Sequence, residues 1–399
     1  MILQALGWMW RGRTPTPRGL GIGLGLIVPR RLEGAASGLG ATLRGLGVGG
    51  GGCLSCPVDT MGVGPVVGEG VCAMSVSIGS IEFRNFRCLR ETTLPLSPFT
   101  LLVGPNGSGK STTLEPLSVG DRDLEYEANM SVTARDRAEA TGYRIAFADG
   151  SRFTNEAGPD GETRREWAGE PPAPGEARAA LASARHFVFM PTAIREQTVS
   201  PTSQQLAPSG ANLAGVLARL AAEQPDRFEA IGEDLCRWFT EFDRVEVGAA
   251  EGPALALRTR KTGHAIAARH LSDGNLLALA LLTLAHLPDP PAIVGIEEPD
   301  RGIHPRLLPE VRDALYRLSY PQDFAEDRDP VQVIATTHSP YLLDLFREHP
   351  EEVVIAQQVE DNVKFQRLSD LPDVEELLGD APLGEAWYSG ILGGVPTEP

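Results

Sequence analysis

Continuous apolar runs mark the core strands of this chain. Phe99–Val103 and Ala292–Ile296 are apolar almost throughout, which is typical of strands buried on both faces. Leu276–Leu287 is also almost wholly apolar but is too long for an ordinary strand, so it predicts a buried helix. Ser272 or Asp273, just before that run, is well placed to cap the helix. Buried strands that alternate with helices predict an α/β fold.

Shorter segments predict further strands and a small insert. Asp149-Gly150 is a hairpin signal between two alternating segments, so we expect an antiparallel subdomain there. The strands predicted outside the core are Ile78–Phe86, Thr92–Leu96, Ser131–Arg135, Tyr143–Ala148, Arg152–Thr154, His186–Met190, Val245–Val247, Ala254–Arg260 and Ile266–Ala268. Apolar residues recur at three- and four-residue spacing in Ala211–Ala222 and Phe228–Phe239, which predicts two helices without a long coiled coil.

The first 73 residues differ from the rest in composition. They contain 19 of the 44 glycines and show no steady helical or strand period. Such a segment cannot bury a core, so we expect it to be disordered. The folded pattern begins just after Met74, and we expect Met74 to be the natural start. The intact mass of the native protein would test this expectation.

Charge and cysteine content narrow the classes of protein. The formal net charge of −17 means that the surface as a whole does not attract nucleic acid, although a local basic groove is compatible with it. Five scattered cysteines do not form a disulfide framework, which fits a reducing cytoplasm. No stretch of 18 apolar residues occurs, so we expect a soluble protein that does not associate with a membrane.

A glycine-rich loop follows the first core strand and reads G-x-x-x-x-G-K-S, the Walker A pattern. Glycines let the backbone bring its N–H groups against phosphate oxygens, and the following helix directs its positive dipole end at the same anion. Lys110 reaches the β- and γ-phosphates of ATP, and Ser111 offers its hydroxyl to Mg²⁺. The predicted nucleotide-binding residues of this loop are Gly104, Pro105, Asn106, Gly107, Ser108, Gly109, Lys110, Ser111 and Thr112.

Two carboxylates and a histidine stand at the ends of later core strands. Ala292–Ile296 runs directly into Glu297 and Glu298, whose side chains point to opposite faces of an extended chain. One carboxylate can serve a metal ion through water while the other orients an attacking water. His338 follows the apolar run Val331–Ala335 and can donate a hydrogen bond to a γ-phosphate. Taken alone, a histidine at a strand end is more often structural than catalytic.

The order of these motifs says more than any one of them. The Walker A loop, the segment LSDGN, a strand ending in Glu-Glu and a strand ending in His occur in that order. The chain resembles an ABC-type ATPase head, specifically the SMC/RecF-like and OLD-like branch of AAA-family ATPases. Segments similar to that branch are Ile81–Arg87, Leu271–Asn275, Ile296–Asp300, Gly302–Pro305, Thr337–Pro340 and Leu383–Trp387 with Gly393-Gly394. The resemblance covers about residues 74–399.

The resemblance implies catalytic and metal-binding roles for the matching residues. Lys110 and Ser111 would hold phosphate and Mg²⁺. Glu297 stands where most ABC proteins have the shorter Walker B aspartate that serves the metal. Glu298 matches the glutamate that polarises the attacking water, and His338 matches the switch histidine.

The resemblance also implies contacts across a dimer. Ser272 and Gly274 match the signature that contacts the γ-phosphate bound by the other protomer. This role implies a head-to-tail homodimer with two ATP molecules between the subunits. Asp300 would lie near the dimer seam, and Arg87 would contact phosphate or base. Gln197 is the candidate for the glutamine that such heads carry after the phosphate-loop lobe.

The implied fold is a P-loop NTPase of the ABC-head type, with a mixed central sheet, an antiparallel β subdomain and a small helical insert. The predicted segments are a disordered tail (1–73), a first ATPase lobe with the Walker A loop and the antiparallel subdomain (74–197), a helical and strand insert (198–270), and a second lobe with signature, Walker B and switch histidine (271–399).

The function implied is an ATP-hydrolysing dimeric switch in DNA repair or phage defence. About 60 residues follow His338, too few for the Toprim domain of OLD nucleases, so we expect any nuclease to be a separate subunit. Two alternatives stay open. An ATPase subunit of a membrane transporter is one, although Asn85–Arg87 and the Ile-Glu-Glu-Pro segment argue against it. A nucleotide sensor with little turnover is the other. Two departures allow it: Glu297 replaces an aspartate, and Pro116, six residues past Lys110, is expected to kink the helix after the loop or to end it early.

Overall fold

The computed structural model of the chain describes residues 76–118, 139–169, 174–196, 205–248, 255–360, 362–372 and 381–392. The strands in these residues are β1 (Ile78–Phe86), β2 (Leu89–Pro95), β3 (Phe99–Val103), β4 (Thr141–Phe147), β5 (Arg152–Ala157), β6 (Thr163–Ala168), β7 (Arg185–Phe187), β8 (Phe242–Val247), β9 (Leu255–Thr259), β10 (Ala265–Ala267), β11 (Ile293–Glu297), β12 (Gln332–Thr337), β13 (Val353–Val359) and β14 (Asn362–Arg367). The α-helices are α1 (Lys110–Leu114), α2 (Pro174–Ser183), α3 (Pro191–Glu196), α4 (Leu213–Glu223), α5 (Pro225–Trp238), α6 (Asp273–Ala285), α7 (Leu308–Ser319), α8 (Pro340–Leu343) and α9 (Leu383–Tyr388).

The central sheet is mixed, in the strand order β14-β13-β3-β12-β11-β7. Strands β13, β3, β12, β11 and β7 run parallel, and β14 pairs antiparallel with β13 at one edge. Every residue of β3 and β12 is buried, as expected for strands covered on both faces.

Register brings three strand ends to the same edge of this sheet. Val103 at the end of β3 lies opposite Thr337 at the end of β12. Thr336 in turn lies opposite Glu297, the last residue of β11. Because parallel strands run in the same direction, the segments that follow them begin at neighbouring points on this edge. The glycine-rich loop, His338 and Glu298 therefore emerge side by side.

Two hydrophobic cores cover the two faces of the central sheet. Phe99, Leu101 and Val103 belong to the core that includes α6 and α7, whereas Leu102 belongs to the core shared with the antiparallel sheet. This division follows from the two-residue period of a strand, which sends successive side chains to opposite faces.

The helix after the glycine-rich loop is short. α1 ends at Leu114, and a 3₁₀ turn continues over Glu115–Ser118. Pro116 lies in that turn. A proline in a helix interior removes a hydrogen bond and clashes with the preceding turn, so the early end of the helix agrees with the prediction from sequence.

The second sheet is antiparallel throughout, in the order β2-β1-β4-β5-β6. The hairpin predicted at Asp149-Gly150 joins β4 to β5. Asp149 Oδ1 accepts hydrogen bonds from the backbone N–H of Ser151 at 2.8 Å and from its hydroxyl at 2.6 Å. This sheet packs beside the phosphate-binding loop, because Leu89 at the start of β2 lies against Gly109.

The insert holds a small antiparallel sheet, β10-β9-β8, together with α4 and α5. One anchor to the rest is a buried hydrogen-bonded pair: His286 Nε2, directly after α6, lies 2.8 Å from Asp234 Oδ2 on α5. Only 3% of His286 and 8% of Asp234 are exposed. The pair therefore fixes the insert against the helix that carries the LSDGN segment at its start.

One predicted strand is shorter than expected. The run His186–Met190 was expected to be a single buried strand, but β7 ends at Phe187. Beyond that point the backbone N–H groups of Val188 and Met190 donate to Pro208 and Ser209 instead of to β11. The apolar composition continues because Phe189 still packs in the core, so composition alone did not reveal where pairing stops.

Some predictions fall outside the described residues: the tail 1–73, the strand Ser131–Arg135 and Gln197. The described residues belong to one compact unit, Gly70–Pro399, and the boundaries predicted within it stay predictions. Within the ranges given above, no helix is both long and apolar enough to cross a membrane.

Replacing Asp234 by Asn is expected to destabilise the protein by about 2 kcal/mol at neutral pH, because His286 loses a buried charged partner. Burial alone would raise the pKa of Asp234. The hydrogen bond from His286 and the charges of His286, Arg237 and Arg317 outweigh burial and place the pKa below its usual value. A depressed carboxyl pKa stabilises the fold above the unfolded value of about 3.9 and ceases to do so as pH falls through the folded value. Urea unfolding between pH 7 and pH 3 would measure this.

The stability gap between Asp234→Asn and the unmodified protein should therefore shrink below about pH 4. The exposed Glu229 on the same helix provides the control, and Glu229→Gln should be close to neutral. Equal stability of Asp234→Asn and Glu229→Gln at pH 7 would contradict the anchoring role.

Candidate nucleotide-binding site

In the glycine-rich loop, the side chain of Lys110 is hydrogen-bonded to the backbone of the loop itself. Gly107 and Gly109 both have φ of 78°, a left-handed conformation that favours glycine. Lys110 Nζ donates to the carbonyl of Gly104 at 2.9 Å and to that of Pro105 at 2.8 Å. It also lies 3.4 Å from Ser108 Oγ. The ammonium group of Lys110 is thus hydrogen-bonded to carbonyls of its own loop.

Burial lowers the pKa of Lys110 to about 8, while the negative charges of Glu298 and Glu297 oppose that shift. The lysine therefore lies within electrostatic range of both strand-end carboxylates. Around it, the predicted loop residues divide into a buried and an exposed group. Gly104, Ser108, Gly109, Lys110 and Thr112 are buried, Pro105 is half-buried, and Asn106, Gly107 and Ser111 are exposed.

Glu297 is held by two hydrogen bonds at the end of β11. Ser111 donates its hydroxyl to Glu297 Oε2 at 2.9 Å. His186, on the neighbouring strand β7, lies with Nε2 2.9 Å from Glu297 Oε1. Burial alone would raise the pKa of Glu297. The hydrogen bonds from His186 and Ser111, with the charges of His186 and Arg301, outweigh it and lower the pKa, so this group is a carboxylate at neutral pH.

Glu298 leaves the strand in a strained backbone conformation. Its φ is 44°, which is uncommon for a residue with a side chain, and its N–H donates to the carbonyl of Thr336 at 3.0 Å. The turn places the Glu298 carboxylate beside the switch histidine: His338 Nε2 lies 3.4 Å from Glu298 Oε1. Half-exposed Glu298 and half-exposed His338 thus share the open side of the site.

Burial and the positive charge of Lys110 lower the pKa of His338, and the negative charge of Glu298 acts in the opposite direction. The ring is therefore neutral at pH 7 and retains one N–H donor. The histidine thus lies within electrostatic range of both the lysine of the loop and the second carboxylate.

The turn after Glu298 is tied to β12 and to the start of α6. Asp300 Oδ1 accepts a hydrogen bond from the hydroxyl of Thr337 at 2.9 Å. Burial raises the pKa of Asp300, and this bond opposes the shift. Further along, a Cβ on Gly274 would lie 2.4 Å from the carbonyl oxygen of Gly302. Glycine at 274 therefore lets the LSDGN segment pack directly on the turn that follows the two carboxylates.

Ser272 caps α6, as one of the two residues proposed for that role. Its hydroxyl oxygen accepts from the N–H of Asn275 at 3.2 Å. A serine cap of this kind stabilises a helix by about 1 kcal/mol. The contacts of Ser272 and Gly274 described here lie within one chain, and their predicted contact with a nucleotide on a second copy stays a prediction.

Arg87 lies beside the loop but is already paired. Arg87 Nη1 is 2.7 Å from Glu115 Oε1. It also lines an open cleft with Cys88, Gly107 and Gln358. The pairing with a glutamate just after α1 was not foreseen, because nothing in the sequence links positions 87 and 115. A contact between Arg87 and a nucleotide stays a prediction.

The donor set fits a magnesium ion shared with a nucleotide. Ser111 Oγ and Glu297 Oε2 are hard oxygen donors at 2.9 Å from each other. Mg²⁺ is commonly held by one or two protein oxygens together with substrate phosphates. In the described parts of the chain no group of three or more His, Cys, Asp and Glu side chains could hold a metal by itself, so a dedicated protein cage is not present there.

His186 is the site residue that the sequence reading missed. It was assigned to a strand, but no local motif surrounds it. Its role depends on β7 lying next to β11 in the sheet, with His186 opposite Gly295. Only a prediction of the strand order in the sheet could have identified His186 as a site residue.

Comparisons with known proteins agree on the class. The family described as "AAA domain, putative AbiEii toxin, Type IV TA system" matches residues 182–344, and "AAA ATPase domain" matches residues 77–130. A crystal structure of an SMC head bound to the C-winged helix domain of ScpA is 17% identical, with a TM-score of 0.50, covering 72% of this chain and 96% of that one. A structure of the recombination mediator RecF with a bound nucleotide is 13% identical, with a TM-score of 0.40, covering 73% of this chain and 98% of that one.

The chain therefore has the fold of an ABC-type ATPase head, the predicted fold class is confirmed, and two separate parts of the chain match AAA-domain families. A short stretch of 39 residues is also 49% identical to the OLD nuclease of Thermus scotoductus strain ATCC 700910 / SA-01. That match covers 10% of this chain and 7% of the nuclease.

Replacing Gly274 by Ala is expected to destabilise the protein by about 1–3 kcal/mol, because the new methyl group would collide with the Gly302 carbonyl. Gly232 on α5 provides a matched control. A Cβ there would meet its nearest atom, Val245 Cγ2, at 3.9 Å, so Gly232→Ala should be neutral or stabilising by up to about 1 kcal/mol. Urea unfolding of both variants is the measurement. Two variants of equal stability would show that the close approach at Gly274 is not a constraint.

Proposed function

We propose that this protein binds and hydrolyses ATP as a homodimer that closes on two nucleotides and opens after hydrolysis. One observation carries the proposal. Three adjacent strand ends hold, within hydrogen-bond or near hydrogen-bond distance, a phosphate-binding loop, a metal-type carboxylate and a carboxylate–histidine pair. A glycine-rich loop placed there by chance would not have these partners.

The loop would receive the triphosphate on its backbone N–H groups and on Lys110. In the structure, Lys110 satisfies its donors with the carbonyls of Gly104 and Pro105. Phosphate oxygens are charged acceptors and form stronger hydrogen bonds with an ammonium than neutral carbonyls do. ATP would therefore draw the lysine from the loop, and the negative phosphates would favour its charged form.

Ser111 and Glu297 would hold Mg²⁺. When bound, this ion would neutralise part of the charge of the phosphates. The protein's own contribution is to keep the two donors in place before the ion arrives. Ser111 is fixed on α1, and Glu297 is fixed at the end of β11 by its bonds to Ser111 and His186.

Glu298 would orient and deprotonate the attacking water. The water oxygen bonds to the γ-phosphorus while the bond from that phosphorus to the bridging oxygen breaks, and ADP leaves with the electron pair. Glu298 accepts the water proton. His338, 3.4 Å from Glu298, would donate its N–H to a γ-phosphate oxygen and sense whether that phosphate is present.

The dimer would complete each site with the start of α6 from the other copy. This helix has 13 residues, so its N-terminus carries the positive end of a full helix dipole. Ser272 caps it, and Gly274 adds no side chain that would cover the backbone N–H groups. Such an end is suited to a γ-phosphate on the neighbouring subunit.

The biological setting we propose is DNA repair or phage defence in the cytoplasm, with DNA or a separate nuclease subunit as the partner. Support comes from the OLD nuclease match and from the toxin family description. A net charge of −17 means that any DNA interface is a local one. Closure on ATP would present that interface, and hydrolysis would withdraw it.

Glu298→Gln should abolish most ATP turnover while ATP still binds, because glutamine keeps the shape of the side chain but cannot accept the water proton. General-base removal typically costs about 10²–10⁴-fold in rate. Phosphate release and solution mass with ATP and Mg²⁺ are the measurements. We expect slow phosphate release and a dimer that persists only with ATP.

The same assay with duplex DNA separates the biological settings. Stimulation of the unmodified protein by DNA, weakened by added salt, is expected for a DNA-responsive switch.

The control for Glu298→Gln is Glu241→Gln, an exposed change remote from the loop in sequence, which should behave as the unmodified protein does. Unchanged turnover in Glu298→Gln would remove this residue from the general-base role.

A further inference from the structure

A partly buried histidine on β7 faces the Glu297 carboxylate and takes no part in the bond changes described above. His186 Nε2 lies 2.9 Å from Glu297 Oε1, and the side chain of His186 is 12% exposed. The other oxygen of the same carboxylate, Oε2, accepts the hydroxyl of Ser111 at 2.9 Å. The carboxylate is thus held from two sides by groups on two different elements.

The sheet explains why these side chains meet. His186 lies opposite Gly295 in the parallel pair of β7 and β11, so both positions face the same side of the sheet. A Cβ on Gly295 would meet Leu117 at 2.8 Å and Leu114 at 3.3 Å, which identifies that side as the one covered by α1 and the turn after it. Glu297, two residues beyond Gly295, points to the same side.

Glu297 needs such support because of its length. It has one more rotatable bond than the aspartate that the resemblance leads one to expect, and its carboxylate reaches about 1.5 Å further. Ordering an additional bond costs conformational entropy. A donor that fixes one oxygen removes this freedom before the metal binds and leaves the other oxygen directed at Ser111.

We propose that His186 is a positioning residue that fixes the Glu297 carboxylate for Mg²⁺, and that the glutamate and the histidine work as a pair in place of a shorter aspartate. The inference rests on the proposed function, because it assumes that Mg²⁺ binds between Ser111 and Glu297. His186 donates Nε2–H to Oε1, and Oε2 faces the metal position. Arg301, whose charge also acts on Glu297, donates to the backbone carbonyl of Phe189 at 2.7 Å.

The test measures metal binding directly. Mn²⁺ in place of Mg²⁺ is titrated into the protein with a non-hydrolysable ATP analogue and followed by electron paramagnetic resonance. Nucleotide binding in EDTA is measured beside it. His186→Phe removes the donor at similar volume, and we expect Mn²⁺ affinity to fall about 10–100-fold while nucleotide binding in EDTA is unchanged. His186→Gln, which can still donate an N–H, should recover most of the loss.

Two further variants sharpen the result. His264→Phe, at an exposed hairpin histidine, is the matched control and should leave Mn²⁺ affinity unchanged. In a Glu297→Asp background the shorter carboxylate no longer reaches His186, so adding His186→Phe should cause a much smaller further loss than it does alone.

A folded His186→Phe protein with unchanged Mn²⁺ affinity would overturn the proposal. An equal loss from His186→Phe in the Glu and the Asp backgrounds would also overturn it, because the effect would then not pass through the longer side chain. Failure of the unmodified protein to bind Mn²⁺ with the nucleotide would overturn the proposed function itself, and with it this inference.

Discussion

The in-register parallel pairing of β3, β12 and β11 is the constraint on which the site depends. Its hydrogen bonds place Val103, Thr337 and Glu297 at one edge of the sheet. The glycine-rich loop, Glu298 and His338, which carry the candidate chemistry, all leave the sheet at this edge. A slip of one residue in β11 would send Glu297 to the opposite face and away from α1, because side chains alternate along a strand. The burial of these strands on both faces is what prevents such a slip.

Opposite charges lie near one another at this edge in a partly buried setting. Lys110 lies within electrostatic range of Glu297 and Glu298, and His338 Nε2 lies 3.4 Å from Glu298 Oε1. Removing charges from water is costly unless they are paired and hydrogen-bonded. Here the loop carbonyls, Ser111 and His186 provide those bonds. Lys110 and Glu297 at this edge therefore each have hydrogen-bond partners within the chain.

Much of this arrangement could be predicted from sequence, because the signals are local. The glycine-rich loop, the early end of α1 before Pro116 and the serine cap at the start of α6 each depend on a few neighbouring residues. The hairpin at Asp149-Gly150 is of the same kind. The order of the motifs then indicated the fold class.

Contacts between distant segments could not be predicted in this way. The bond from His186 to Glu297 joins positions 111 residues apart and needs β7 to be the neighbour of β11. The pairing of Arg87 with Glu115 and the approach of Gly274 to Gly302 also depend on how the elements pack. The end of β7 at Phe187 was set by loop residues 208 and 209, which no period in the strand itself encodes.

The most direct test of the central claim is a crystal structure of the Glu298→Gln protein with ATP and Mn²⁺, in which anomalous scattering locates the metal. The account predicts one metal peak beside the hydroxyl of Ser111 and facing Glu297 Oε2. It also predicts a γ-phosphate between Lys110, His338 and the start of α6 from a second copy. Triphosphate or metal bound away from the glycine-rich loop, or a site completed by one copy alone, would contradict it.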